Sequence, residues 1–206
     1  MSEQLQILPL CLIMVMGPQI VTAIFLVTSR EPVKNSLALL LGVLAAATLG
    51  LAIWSGVVKA IGIDPSDSDS GPTTLDWIVS GLLAIAAVRT YITRGTAETP
   101  KWMSALVEAT PRRALTLGFL LILLMPTDIV ATIATANYVH DSGLDWYDGW
   151  PLVAGTVLLM ALPLLAYSLL GHRARAAMPG IRDWLTTHGW LVNIVVIVYF
   201  IFQLLS

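Results

Sequence analysis

Met125-Pro126-Thr127-Asp128-Ile129-Val130-Ala131-Thr132-Ile133 lies inside an apolar run that extends from about Ala114 to Tyr138. Two residues of this stretch decide how the chain is read. Asp128 is the only ionisable side chain deep in any long apolar segment, and Pro126 stands near the middle of its own. A carboxylate at the centre of a bilayer costs roughly 3 kcal/mol or more. Such a residue faces a cavity, carries a proton or holds a cation; the plainer alternative is a protonated acid that glues helices together. Proline removes an amide donor and kinks or breaks the helix that contains it. Thr132 and Thr135 follow Asp128 at i+4 and i+7, on the same helix face.

The first half of the chain carries a matching stretch, Gly17-Pro18-Gln19-Ile20-Val21-Thr22-Ala23-Ile24. Each stretch has a proline, then a polar residue, then Ile-Val. Pro18 lies 13 residues past Leu5, and Pro126 lies 13 past Arg113. Interrupted apolar helices at equivalent places in two halves point to a transporter site at the bilayer midplane. Gln19 and Thr22 then form the polar face of the first half, and Asp128, Thr132 and Thr135 that of the second. Gly17, Pro18 and Pro126 supply the helix breaks, with freed backbone carbonyls beside them.

Composition places these stretches in a membrane. The chain has 206 residues, of which 57% are hydrophobic and 12% charged, with a mean hydropathy of +0.82. Soluble domains carry about 25% charged residues, so this chain cannot cover a water-facing surface. A net charge of -2 and a pI near 5.8 argue against a nucleic-acid partner. Six apolar segments are expected to span: about 5–27, 36–58, 76–92, 114–138, 149–170 and 189–205. The third is the weakest and relies on Arg89 snorkelling to the interface. The first lacks a basic leader and reads as a retained helix rather than a signal peptide.

Ten of the eleven basic residues fall in three alternate loops: Arg30 and Lys34; Arg89, Arg94, Lys101, Arg112 and Arg113; Arg173, Arg175 and Arg182. The positive-inside rule puts those loops in the cytoplasm and both termini outside. Lys59 and the acidic stretches Asp64–Asp76 and Asp141–Asp148 then lie outside. Pro100–Pro111 and Ala174–Thr187 read as amphipathic cytoplasmic segments lying in the interface. Asp64–Thr74 has turn chemistry and reads as a solvated linker.

Other residues read as structural. Gly42, Ala46 and Gly50 form a small-residue ridge for close helix packing. Pro163 bends the fifth segment, and Asn193 bonds a neighbouring helix. The three histidines lack ligand spacing, so no metal is expected. No phosphate-binding glycine loop, Ser-His-Asp pattern or zinc-protease motif is present, so neither a cofactor nor an enzyme activity is expected.

The run Gly17-Pro18, then about ten apolar residues, then Ser29-Arg30-Glu31-Pro32 and a Gly42-containing helix resembles the LysE superfamily of exporters. Met125-Pro126-Thr127-Asp128 sits where that superfamily often has Asn-Pro. Arg182-Asp183-Trp184-Leu185-Thr186-Thr187-His188-Gly189 and Leu162-Pro163-Leu164-Leu165 are most similar to its GAP, or sulfolipid-addressing (Sap), family. The resemblance implies an all-α integral membrane protein of six transmembrane helices in two inverted three-helix repeats. It also implies export or lipid-addressing transport. The superfamily's thiol-electron carriers need a cysteine pair, and Cys11 stands alone.

The expectation is one membrane domain over 1–206, with repeats at about 1–94 and 112–206 joined by a cytoplasmic loop at 95–111. Its function is expected to be that of a secondary transporter, an exporter with an ion- or proton-coupled site at Asp128. The alternative is a non-transporting accessory protein for envelope lipid or glycolipid export. Membrane lipid and a small solute, ion or lipid substrate are the expected partners. Six short helices leave little room to enclose a path, which favours a homodimer.

Overall fold

The computed structural model describes residues 7–15, 18–60, 74–93 and 110–171, and helical positions scattered between 176 and 202. Most of its helices start where the sequence puts a proline. α1 (Leu10–Val15) is followed by α2 (Pro18–Val27), α3 (Pro32–Ala60), α4 (Thr74–Ile92), α5 (Pro111–Leu124) and α6 (Pro126–Asp141). A 3-10 turn (Trp146–Gly149) leads into α7 (Trp150–Leu170), which has Pro151 in its first turn. Proline suits the first helical turn because its missing N–H has no intrahelical partner there and its φ is already helical. No strand occurs among the described residues.

Across 114–138, where the sequence reading puts a helix break at Pro126, the structure has two helices, Pro111–Leu124 and Pro126–Asp141. Proline drives the preceding residue out of the helical region. Met125 accordingly adopts φ -72° and ψ 124°, α5 stops at Leu124, and α6 leaves at an angle of 65°. The Met125 carbonyl accepts the first amides of the new helix, from Asp128 at 3.1 Å and Ile129 at 3.0 Å. In the first half α1 is described to Val15 and α2 from Pro18, and Met16 and Gly17 lie outside the described residues. Pro163, expected to bend its helix, lies buried inside a continuous α7.

Two glycines set the closest helix pair. A Cβ on Gly42 of α3 would fall on the carbonyl oxygen of Leu115, and one on Gly118 of α5 would fall on that of Leu39. Farther along α3, the corresponding position on Gly50 lies 3.6 Å from the Thr132 methyl on α6. α3 therefore runs parallel to the α5–α6 pair. Arg30 and Lys34, at the head of α3, share an end of the molecule with Arg112 and Arg113, at the head of α5. Lys59 marks the other end, with its Nζ 4.0 Å from Asp145 Oδ1.

α1 and α2 occupy the middle of the bundle. Every residue of α2 from Gln19 to Ile24 is buried. The outer helices turn leucine and isoleucine outward: Leu41 and Ile53 on α3, Ile85 on α4, and Leu158 and Leu169 on α7 are all exposed. An apolar exterior of this extent suits lipid, not water. Pro32–Ala60 and Trp146–Leu169 are long and apolar enough to cross a membrane, and the bent α5–α6 pair makes a third crossing if taken as one span. α2 and the Ser80–Ile92 part of α4 are apolar but shorter. Gly17, the 64–73 stretch, 100–109 and Asn193 fall outside the described residues, as do most of 174–187 and most of the sixth predicted segment.

Candidate functional site

α2 and α6 meet at one hydrogen bond. Gln19 is the second described residue of α2, and Asp128 the third of α6, just inside its proline-initiated first turn. The Gln19 side-chain amide donates from Nε2 to Asp128 Oδ2 at 2.7 Å, linking positions 109 residues apart. Both side chains are buried, Asp128 at 0% exposure and Gln19 at 1%. A hydrogen bond to an ionised or acidic oxygen in such a place is short and among the stronger kinds. The free amide ends of a helix N-terminus carry partial positive charge, so the first turn of α6 is a favourable place for a carboxyl group. Thr127, the residue before it, adds a weaker side-chain contact to the same carboxyl.

The pairing leaves one acceptor unfilled on each partner. Asp128 Oδ1 and Gln19 Oε1 are both buried without a hydrogen-bond partner. Buried polar atoms are almost always paired, so two orphans on one contacting pair stand out.

The threonines named from the sequence are buried too, but each hydroxyl is turned onto its own helix. Thr22 Oγ1 donates to the Pro18 carbonyl at 2.6 Å, Thr132 to that of Asp128 at 2.7 Å, and Thr135 to that of Ala131 at 2.9 Å. The hydrogens are thus committed, and what remains outward is oxygen lone pairs. This is the usual back-bonding of threonine within a helix. Pro126 has no N–H for the Ile122 carbonyl one turn back, as the sequence predicts.

Two glycines close in on these threonines. Gly50 packs on Thr132, and a Cβ on Gly149 would lie 3.4 Å from the Thr135 methyl and 2.8 Å from Leu51. The sequence marks Gly50 through its small-residue ridge. Nothing in the sequence marks Gly149, because its contact is made by the return of the chain through the 3-10 turn. A second polar group also lay beyond sequence reasoning: Asn35 Nδ2 donates to Ser29 Oγ at 2.9 Å, and Ser29 Oγ donates to the Leu26 carbonyl at 2.7 Å. This tie fixes the short connection from α2 to α3.

Arg89 is exposed in the last turn of α4, and no ion pair joins it to Asp128 among the described residues. Cys11 is buried, with its sulfur beside Gly155. No three His, Cys, Asp or Glu side chains converge among the described residues.

Comparison with known proteins gives one family. The family model described as Sap, sulfolipid-1-addressing protein, matches residues 7–206, and the chain belongs to that family. Neither the curated proteins nor the solved structures contain a match. The chain is a helical membrane protein of a family whose description links it to sulfolipid addressing.

Proposed function

We propose that this Sap-family chain is a secondary transporter that exports a lipid-linked substrate, with its ion-coupling site where α2 and α6 meet. One observation carries the reading: a buried carboxyl just past the break between α5 and α6 is held by a buried amide on α2. Structural glue needs no broken helices, whereas a transporter site built at the interface of two repeats uses them. On this reading the chain crosses the membrane six times. α1 to α4 form one repeat, and α5 to the helical positions after 176 form its inverted counterpart. The basic ends of α3 and α5 face the cytoplasm. Alternating access is then a rocking of one repeat against the other about the Gln19–Asp128 contact.

The family description supplies the class of substrate to try first, a sulfated glycolipid. The test is reconstitution of the purified chain into liposomes carrying a fluorescent sulfated glycolipid, with an imposed pH gradient. Movement of the probe between leaflets in wild type, and its loss in Asp128→Asn, is the expected result. No movement by the isolated chain, together with a protein partner retained through mild-detergent purification, would replace the exporter with an accessory component of an envelope lipid system.

A further inference from the structure

The two unfilled atoms at the site belong to groups already joined by one hydrogen bond. Gln19 Nε2 donates to Asp128 Oδ2, and the second oxygen of each group, Gln19 Oε1 and Asp128 Oδ1, has no partner. Both are acceptors, so neither satisfies the other. A carboxylic acid and a primary amide, however, are complementary in a ring of two hydrogen bonds: amide N–H to acid carbonyl, and acid O–H to amide carbonyl. Half of that ring is present in the structure. One proton on Asp128 supplies the rest.

We propose that Asp128 and Gln19 together form a proton-binding latch, in which a proton on Asp128 Oδ1 is donated to Gln19 Oε1 and closes a reciprocal acid–amide pair between α2 and α6. The inference rests on the proposed transporter reading only for its consequence, and names the coupling ion of that site. The proton arrives from water and leaves to water, with no other bond made or broken. With the proton bound, the pair is neutral and both orphan acceptors are filled. With it gone, a carboxylate oxygen confronts an amide oxygen, and the contact between the two repeats weakens to one hydrogen bond.

The surroundings favour a proton over a salt partner. The hydroxyls of Thr22, Thr132 and Thr135 have their hydrogens on i-4 carbonyls and offer none to the orphan atoms, and Thr127 is the one described threonine with a side-chain contact to the Asp128 carboxyl. The titratable groups on the elements packed against α6 are Cys11 on α1, Lys34 and Lys59 on α3, Asp76, Arg89 and Tyr91 on α4, Arg112 and Arg113 on α5, and the aspartates and Tyr147 around the 3-10 turn. Tyr138, His140 and Asp141 lie on α6 itself, three turns beyond Asp128. Every described lysine and arginine among them is exposed toward a helix end. None pairs with Asp128, so the group on a facing helix that answers a change in its charge is Gln19.

The test is infrared difference spectroscopy of the purified protein in lipid nanodiscs, from acidic to alkaline pH. Wild type minus Asp128→Asn isolates one carboxyl group. Asp128→Asn is expected to fold, because it places an amide N–H where the acid O–H would be. The expected result is a protonated-carboxyl carbonyl band that titrates away as pH rises, sits at the position of a strongly hydrogen-bonded acid, and is indifferent to sodium at fixed pH. In Gln19→Leu, or in Gln19→Met if the first does not fold, the band moves to the position of a free acid. Absence of the band at every pH, an unchanged position without Gln19, or removal of the band by sodium at fixed pH would each overturn the latch. The band is read without flux. Its presence with no lipid movement keeps the latch and removes the exporter; the reverse keeps the exporter and removes the latch.

Discussion

At the scale of single residues, the site separates side chains that reach across the bundle from side chains that serve their own helix. Gln19 reaches across, so Gln19→Leu leaves a buried carboxyl with no amide donor. Leaving such a group unpaired costs about 1–3 kcal/mol. Thr22 bonds only its own Pro18 carbonyl, so Thr22→Val removes one local hydrogen bond and is expected to cost about 1 kcal/mol or less. Urea unfolding of the two variants in detergent, followed by circular dichroism, checks the order; a larger loss for Thr22→Val would contradict it. The residues of this pair were legible in the sequence. A lone carboxyl in an apolar run and a matched Pro-polar-Ile-Val stretch are signals of type and spacing. The direction of the threonine hydroxyls was not, because a threonine one turn from a carbonyl satisfies itself locally whatever lies opposite.

At the scale of elements, packing and helix breaks act together. Gly42 and Gly118 admit the facing backbone, so Gly42→Ala and Gly118→Ala each push a methyl into a carbonyl oxygen that cannot rotate away. Overpacking of this kind costs about 1–3 kcal/mol or more. Gly56 on α3 and Gly81 on α4 meet nothing within 4 Å. Gly56→Ala and Gly81→Ala are therefore expected to be neutral or to stabilise by about 0.5–1 kcal/mol, the ordinary helix preference for alanine. Thermal unfolding of the four variants separates the two classes. Pro126→Ala restores an amide for the Ile122 carbonyl and lets α5 run on into α6, which carries Asp128 away from Gln19. The variant is expected to keep its helix content and lose the Asp128 infrared signature, measured as described above. The sequence places an interruption at Pro126. It did not show a complete stop with one extended residue and a 65° turn, since that depends on how Met125 relaxes and on what the restarted helix packs against. Gly149 against Thr135 was illegible for a related reason: it is set by how the short turn after α6 folds the chain back onto that helix.

At the scale of the whole molecule, charge and apolar surface agree on a common axis. The heads of α3 and α5 bear Arg30, Lys34, Arg112 and Arg113 at one end, and Lys59 meets Asp145 at the other. On the proposed topology the positive-inside rule puts the first end in the cytoplasm. In a Cys11→Ala background, Thr28→Cys and Thr110→Cys are expected to react with an impermeant maleimide only after the membrane is opened, whereas Asp145→Cys reacts in intact cells. Labelling in the opposite sense would invert the topology. The apolar exterior of α3, α4 and α7 is what lets so few charged residues suffice, and it leaves the bundle interior as the place where polar groups carry meaning. Within it, the contact between Gln19 and Asp128 is the one described side-chain hydrogen bond that ties α2 to α6.

The most direct test of that contact as the coupling site is the pH-driven movement of the fluorescent sulfated glycolipid in liposomes, measured for wild type, Gln19→Leu, Asp128→Asn and the double variant. The account predicts that either single change stops movement and that the double change is no worse than Asp128→Asn alone, because residues acting as one unit are not additive. Full movement in the Asp128→Asn protein would contradict it.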